Sequence, residues 1–175
     1  MEKKCTVIIN PTSGHGLNDK LAGEIGKVLI ENGYDPIIHI TKYRGHAEEL
    51  IQDVKDGLVI SVGGDGTYYE VMNGNFKRKE QLVLSHIPVG TTNDIGHMYG
   101  LGNNIIKNLQ LILKGEVKEI DLCSINGRDF VYVASFGKFM EIPYETQQEL
   151  KHRLGYLAYL YNGAKEIFRR TWYLC

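Results

Sequence analysis

The sequence predicts an α/β fold, a parallel sheet with flanking helices, on three observations. Short apolar runs alternate with segments of helical period as far as Asp121. The runs lack polar alternation, as in Leu58 to Val62 with Ser61 as its one polar member, which is how strands covered on both faces read. Loops rich in glycine, hydroxyls and amides directly follow three of the runs, and parallel sheets carry their ligands beyond the carboxyl ends of the strands.

Each element has its own justification. Cys5 to Ile9 reads as a buried strand, and Leu17, Leu21, Ile25, Val28 and Leu29 recur at helical spacing until Gly33 stops the helix. Pro36 to Ile40 is a second strand, Ala47, Leu50, Ile51 and Val54 form a second helical stripe, and Leu58 to Val62 is the third strand. A helix is expected over Thr67 to Asn73, a strand over Leu82 to Ile87, and an amphipathic helix through Ile105, Ile106, Leu109, Ile112 and Leu113 up to Gly115. After Asp121 the character changes. Leu122 to Ile125, the Asn126-Gly127 turn and Phe130 to Ala134 give a hairpin signal, followed by a Tyr- and Leu-rich helical segment over Gln147 to Arg170. Residues 1–121 are therefore read as one α/β domain and 122–175 as an incomplete second domain, a hairpin plus a helix.

Bulk properties narrow the partners. A chain of 175 residues with 43% hydrophobic and 23% charged residues is that of an ordinary globular protein. A formal net charge of -1 supplies no global field toward nucleic acid, and no nucleic-acid partner is expected. Cys5, Cys123 and Cys175 are odd in number and lack metal spacing, which points to free thiols and a cytoplasmic setting. No apolar run reaches membrane-spanning length. The six histidines lack ligand spacing and none is assigned to a metal. Lys77, Arg78 and Lys79 read as a solvated basic loop.

The three loops carry the chemistry. The first, Asn10-Pro11-Thr12-Ser13-Gly14-His15-Gly16, offers small residues and flexible backbone before a helix start, which suits an anion and equally suits a simple connecting turn. The second is Gly63-Gly64-Asp65-Gly66-Thr67, leading to Glu70, Asn73 and Gly74. Its glycines let backbone approach a phosphate, and Asp65 among them suits organising a Mg²⁺ ion or its water shell, or accepting a substrate proton. Thr67 and Glu70 also match a helix capping box, which requires no ligand. In the third loop, Gly90-Thr91-Thr92-Asn93-Asp94 packs hydroxyl, amide and carboxylate groups onto one turn, for ligand contact or with Asn93 or Asp94 as a helix cap.

Together, Asn10-Pro-x-Ser-Gly14, Gly63-Gly-Asp-Gly-Thr67 with Glu70, Asn73 and Gly74, and Gly90-Thr-x-Asn-Asp94 resemble the diacylglycerol kinase catalytic-domain family, which includes bacterial lipid kinases, sphingosine kinases and ceramide kinases. The likeness continues through Ile120-Asp121, Val133 to Gly137 and Leu154 to Tyr159. It implies a phosphofructokinase/NAD kinase-like nucleotide-binding domain followed by the start of a truncated β-sandwich domain. It also implies ATP as donor, Mg²⁺ as cofactor and a lipid hydroxyl, such as that of diacylglycerol, as acceptor at the membrane surface. By motif, Asn10, Ser13, Gly14, Thr41, Gly63, Gly64, Asp65, Gly66, Thr67, Glu70, Gly90, Thr91, Asn93 and Asp94 form the nucleotide site. Thr41 opens the Thr-x-x-x-Gly-His-Ala stretch, and Asp65 is the catalytic candidate nearest the transferred phosphate. Two departures stand out: Tyr69 replaces the usual Asn before the Glu, and Gly96-His97 replaces the usual Ala-Arg after the Asn-Asp pair.

Two other readings compete. NAD kinases and phosphofructokinases also present a Gly-Gly-Asp-Gly motif on a similar sheet, which allows a soluble-metabolite kinase. The family usually continues through a sandwich domain that holds the lipid, so a truncated, non-catalytic nucleotide-binding relative is the second alternative. Leu154 to Leu160, with Tyr156, Tyr159, Tyr161 and Trp172 beside Arg169 and Arg170, reads as a helix facing a core or a membrane interface. Its exposure would favour a homodimer and peripheral membrane contact.

Overall fold

The computed structural model describes residues 3–14, 19–55 and 57–132. Within them β1 (Lys3–Ile9), β2 (Tyr34–Ile40), β3 (Leu58–Gly63) and β4 (Val83–Pro88) form one sheet in the order β2-β1-β3-β4, with every pair parallel. The predicted α/β class is therefore present. Val7, Ile8, Val59, Ile60 and Val62 are fully buried, so the uninterrupted apolar runs arise from strands covered on both faces. Pro36 sits in β2, an edge strand, where a missing ladder N–H is tolerated.

Helices cover both faces. On one, Cys5, Val7, Ile9, Ile60, Val62 and Ile87 of the sheet pack with Ile25 and Leu29 of α1 (Asp19–Glu31) and Leu109 of α5 (Ile105–Lys114). On the other, Ile8 and Val59 meet Ala47 of α2 (His46–Leu50), Ile51 and Val54 just after it, and Val71 of α3 (Asp65–Phe76). A third cluster joins Tyr68 and Met72 of α3 to Ile95 of the short α4 (Asp94–Met98). The second helical stripe is not one helix: α2 gives way to a 3-10 turn at Ile51–Asp53. Among the described residues no helix is long and apolar enough to cross a membrane.

The hairpin signal yields β5 (Cys123–Ile125) and β6 (Arg128–Phe130), antiparallel around Asn126 and Gly127. Both turn residues have positive φ, 50° and 73°, the mirror-type turn that suits a two-residue hairpin. Val133 to Gly137, the helical segment 147–170 and the self-association expected from 154–172 lie outside the described residues. So do His15, Gly16, Leu17 and Asn18.

The basic run is not simply solvated. Arg78 Nη1 donates to the carbonyls of Ile51 at 2.7 Å and Gln52 at 3.0 Å, closing the end of the 3-10 turn, and Lys77 pairs with Glu48. Hydrogen bonding from Lys77, the leading cause, together with the nearby Arg128, holds the Glu48 carboxyl below its usual range. Lys79 alone of the three is exposed without a described partner.

Candidate functional site

From β1 the chain crosses to β2 on one side and then to β3 on the other, so the strand order reverses between β1 and β3. A crevice opens beyond the carboxyl ends at such a point. Hydrogen bonds continue past the strand ends and hold the loops level: Asn10 N to Val62 O at 2.9 Å, Thr41 N to Ile9 O at 2.8 Å and Val89 N to Gly63 O at 2.8 Å. The loops after β1, β2, β3 and β4 thus meet at one end of the sheet.

Two glycines show how closely they meet. Gly14 has φ +68°, and a Cβ there would overlap the Val89 carbonyl of the third loop. A Cβ on Gly90 would lie 2.7 Å from the Cα of Gly64 and 3.0 Å from Asn93 Oδ1. Side chains are excluded from both contacts, and backbone forms the floor of the crevice.

The polar side chains mostly bind these loops to one another. Asn10 Nδ2 donates to Thr67 Oγ1 at 3.1 Å, bridging the β1 and β3 loops, while its Oδ1 accepts from Thr12 N and Thr12 Oγ1. Asn93, at φ 55°, closes its own turn: Gly90 N donates to Oδ1 at 2.6 Å and Nδ2 donates to Gly90 O at 2.9 Å. Asp65 bridges the second and third loops, because its Oδ2 accepts from Thr92 Oγ1 and Asp94 N, both at 3.2 Å, and Oδ1 from Ile95 N at 3.0 Å. A carboxylate from α3 therefore caps the first turn of α4, and Asn93, at the N-cap position, makes no side-chain cap. Neither Asn93 nor Asp94 caps α4 with its own side chain.

The capping box expected at Thr67 and Glu70 is absent. α3 starts at Asp65, after Gly64 in extended conformation, so Thr67 already lies inside the first turn. Its hydroxyl accepts from Asn10, and the Glu70 carboxylate reaches Gly45 N at 2.9 Å and Ala47 N at 3.3 Å. Helix geometry leaves the Asp65 and Gly66 N–H groups without intrahelical acceptors, facing the crevice end of α3. Gly66, Thr91 and Asp94 are exposed, while Ser13, Thr41, Thr67 and Asn93 are buried.

Beneath the loops lies a residue the sequence did not single out. His86 of β4 is 2% exposed, its Nδ1 is 2.8 Å from Ser61 Oγ, and its ring centroid is 5.2 Å from that of Tyr68. Among the described residues its Nε2 has no hydrogen-bond partner. Burial pulls its pKa down to about 4, and the negative charge of Asp65 and the Ser61 hydrogen bond oppose this. Burial likewise raises the pKa of Tyr68, whose hydroxyl hydrogen-bonds Tyr99. Thr92 is not among the expected site residues, although its hydroxyl is one of the three donors on Asp65.

Comparison with known proteins gives the family. Residues 4–125 match the family model for the diacylglycerol kinase catalytic domain. A diacylglycerol kinase of Bacillus subtilis (strain 168) is 33% identical over 165 residues, 92% of this chain and 54% of that protein. One of Staphylococcus carnosus (strain TM300) is 31% identical over 175 residues, 98% of this chain and 57% of that protein. A crystal structure of a diacylglycerol kinase from Bacillus anthracis str. Sterne superposes with a TM-score of 0.65 at 34% identity, covering 74% of this chain and 46% of that one. The chain spans about half the length of these relatives. The chain belongs to the diacylglycerol kinase catalytic domain family.

Proposed function

We propose that this chain forms the nucleotide-binding part of an ATP-dependent lipid kinase, which transfers the γ-phosphate of ATP to a lipid hydroxyl such as that of diacylglycerol. The observation that carries the proposal is the meeting of three glycine-bearing loops at the β1/β3 reversal, where backbone approaches backbone and the N-terminus of α3 opens. Phosphates suit such a floor, because N–H groups can reach them without side-chain obstruction and the helix dipole favours negative charge. The names of the relatives support the lipid acceptor. Such a substrate requires the enzyme to work at a membrane surface.

In this reading Gly14, Gly63, Gly64 and Gly66 offer backbone to the phosphates, with the exposed Thr91 and the buried Thr41 as further nucleotide contacts. Asn10, Ser13, Thr67, Gly90 and Asn93 keep the loops in register. Mg²⁺ prefers one or two carboxylates plus phosphate and water oxygens, and this set fits: the Asp94 carboxylate is exposed, and its backbone N–H sits on Asp65. Asp65 already accepts three hydrogen bonds, and a carboxylate has about four acceptor positions, so Asp94 is the freer ligand. The ion would screen the phosphate charge. Asp65 stands next to the transferred group and is the candidate to receive the acceptor's proton.

Calorimetric titration of the chain with ATP and Mg²⁺, beside Asp65→Ala, and a radiolabel transfer assay on diacylglycerol test this. Binding with transfer supports the whole proposal, and binding without transfer restricts this chain to the nucleotide half. No binding at millimolar ATP sinks it.

A further inference from the structure

Glu70 belongs to the glycine motif, and its position on the first turns of α3 suggests a nucleotide contact or a cap for its own helix. It makes no such cap. Both carboxylate oxygens are taken by backbone amides far upstream, Oε1 by Gly45 N at 2.9 Å and Oε2 by Ala47 N at 3.3 Å.

Those amides begin α2, a helix of five residues that has no side-chain cap of its own. So short a helix cannot hold itself and depends on outside contacts. Gly45 stands at φ 90°, the left-handed conformation that turns the chain into α2, and Ala47 is fully buried against the sheet. The preceding segment is tied at its other end, where Thr41 N donates to Ile9 O at 2.8 Å. Between these anchors Lys42 N donates to His46 Nδ1 at 3.0 Å, and Tyr43 stacks on His46 with ring centroids 4.6 Å apart. Thr41 to Ala47 is thus a strap between β1 and α3, and Glu70 is its fastening on α3.

We propose that Glu70 is a positioning residue that keeps Thr41 in register with the Gly63-to-Thr67 loop, so that nucleotide affinity depends on Glu70 through the strap and not through contact of its carboxylate with the nucleotide or its cation. The affinity half of this rests on the function proposed above, whereas the strap does not.

The test uses the full 175-residue chain as wild type, Glu70→Gln, Glu70→Ala, Thr41→Ala and the double variant Glu70→Ala/Thr41→Ala. Without nucleotide, amide hydrogen exchange at Gly45 and Ala47 should quicken at least about tenfold in Glu70→Ala, less in Glu70→Gln, with β1 and β3 unchanged. With ATP and Mg²⁺, Glu70→Ala should weaken binding about tenfold in the wild-type background and less than about twofold in Thr41→Ala, the non-additivity of residues acting through one another. Unchanged exchange at Gly45 and Ala47 overturns the strap. Additive affinity losses overturn the positioning role and put the carboxylate on the ligand. If the wild-type chain does not bind ATP, the nucleotide reading and the affinity half fall together, while the exchange arm still decides the strap.

Discussion

Replacing Asp65 with Asn puts an amide NH₂ where three donors converge. Thr92 Oγ1 and Asp94 N donate to one carboxylate oxygen and Ile95 N to the other. The less damaging orientation of the amide keeps its oxygen on the Thr92 and Asp94 side and turns NH₂ toward the Ile95 N–H, donor against donor. One charge-assisted bond, worth about 1.5–3 kcal/mol, is then lost, and the two survivors weaken to neutral bonds of about 0.5–1.5 kcal/mol each. Loss of the negative charge at the α4 N-terminus removes about 0.3–1 kcal/mol more. Asp65 is only partly buried, so water takes up some of this, and we expect a net destabilisation of about 2 kcal/mol.

Urea unfolding of the two proteins measures that difference, provided that independent probes give coincident transitions. Amide exchange at Asp94 and Ile95 locates it. Thr92→Val removes one donor and should cost about 0.5–1 kcal/mol alone, yet much less on top of Asp65→Asn. An Asp65→Asn protein within about 0.5 kcal/mol of wild type, a change typical of an uninvolved surface site, refutes the bridging role. The measurement also bears on activity, because an inactive Asp65 variant with a displaced α4 says nothing about chemistry.

Three further outcomes follow from the same geometry. The pKa of His86 falls from the usual 6.5 to about 4 in the fold, so as pH drops below 6.5 the unfolded chain takes up the proton first; stability should decline by up to about 3 kcal/mol between pH 6.5 and 4, and His86→Leu should flatten the profile of urea midpoint against pH. Gly90→Ala forces a Cβ against Gly64 and should cost about 1–3 kcal/mol in urea unfolding, while calorimetry shows a larger proportional loss of ATP affinity as the loops part. Asn73→Ala strands the N–H and carbonyl of Asp129, which the Asn73 amide now pairs at 3.0 Å each. It should cost about 2 kcal/mol, with faster exchange at the Asp129 amide as its local sign.

Strands β1 and β3 were legible because they are buried on both faces, and burial writes itself as unbroken apolar runs. Helices α1 and α5 were legible because one stripe of each faces the core. What failed were elements too short or too cooperative to leave a periodic trace. The start of α4 was expected at Asn93 or Asp94, but its extent of five residues and its hold by Asp65 from another element were not. α2 and the 3-10 turn share one apolar stripe although the backbone changes geometry at Ile51. The expected start of α3 at Thr67 is two residues late because Thr67 and Glu70 match a capping pattern whose partners lie elsewhere in space.

In the candidate site, motif spacing identified the right loops but not the direction of their side chains. Buried asparagines make the reason plain. Asn73, Asn75, Asn93 and Asn108 each pair both ends of the amide with the N–H and carbonyl of a single residue: Asp129, Leu82, Gly90 and Gly102. Each acts as a one-residue extension of a backbone ladder, and sequence spacing cannot announce it because the partners lie from three to fifty-six positions away. Asp65 and Glu70 follow the same logic with carboxylates. Asn10, Asp65, Thr67 and Glu70, which the motifs assign to a ligand, are therefore already engaged in holding one loop against another. The surface left over is backbone N–H at the start of α3 together with the exposed Thr91 and Asp94. A site built this way has met its ordering cost during folding, so the phosphate binding we propose need not immobilise flexible side chains. Substitutions at the engaged residues should accordingly show as lost loop register before they show as lost contacts.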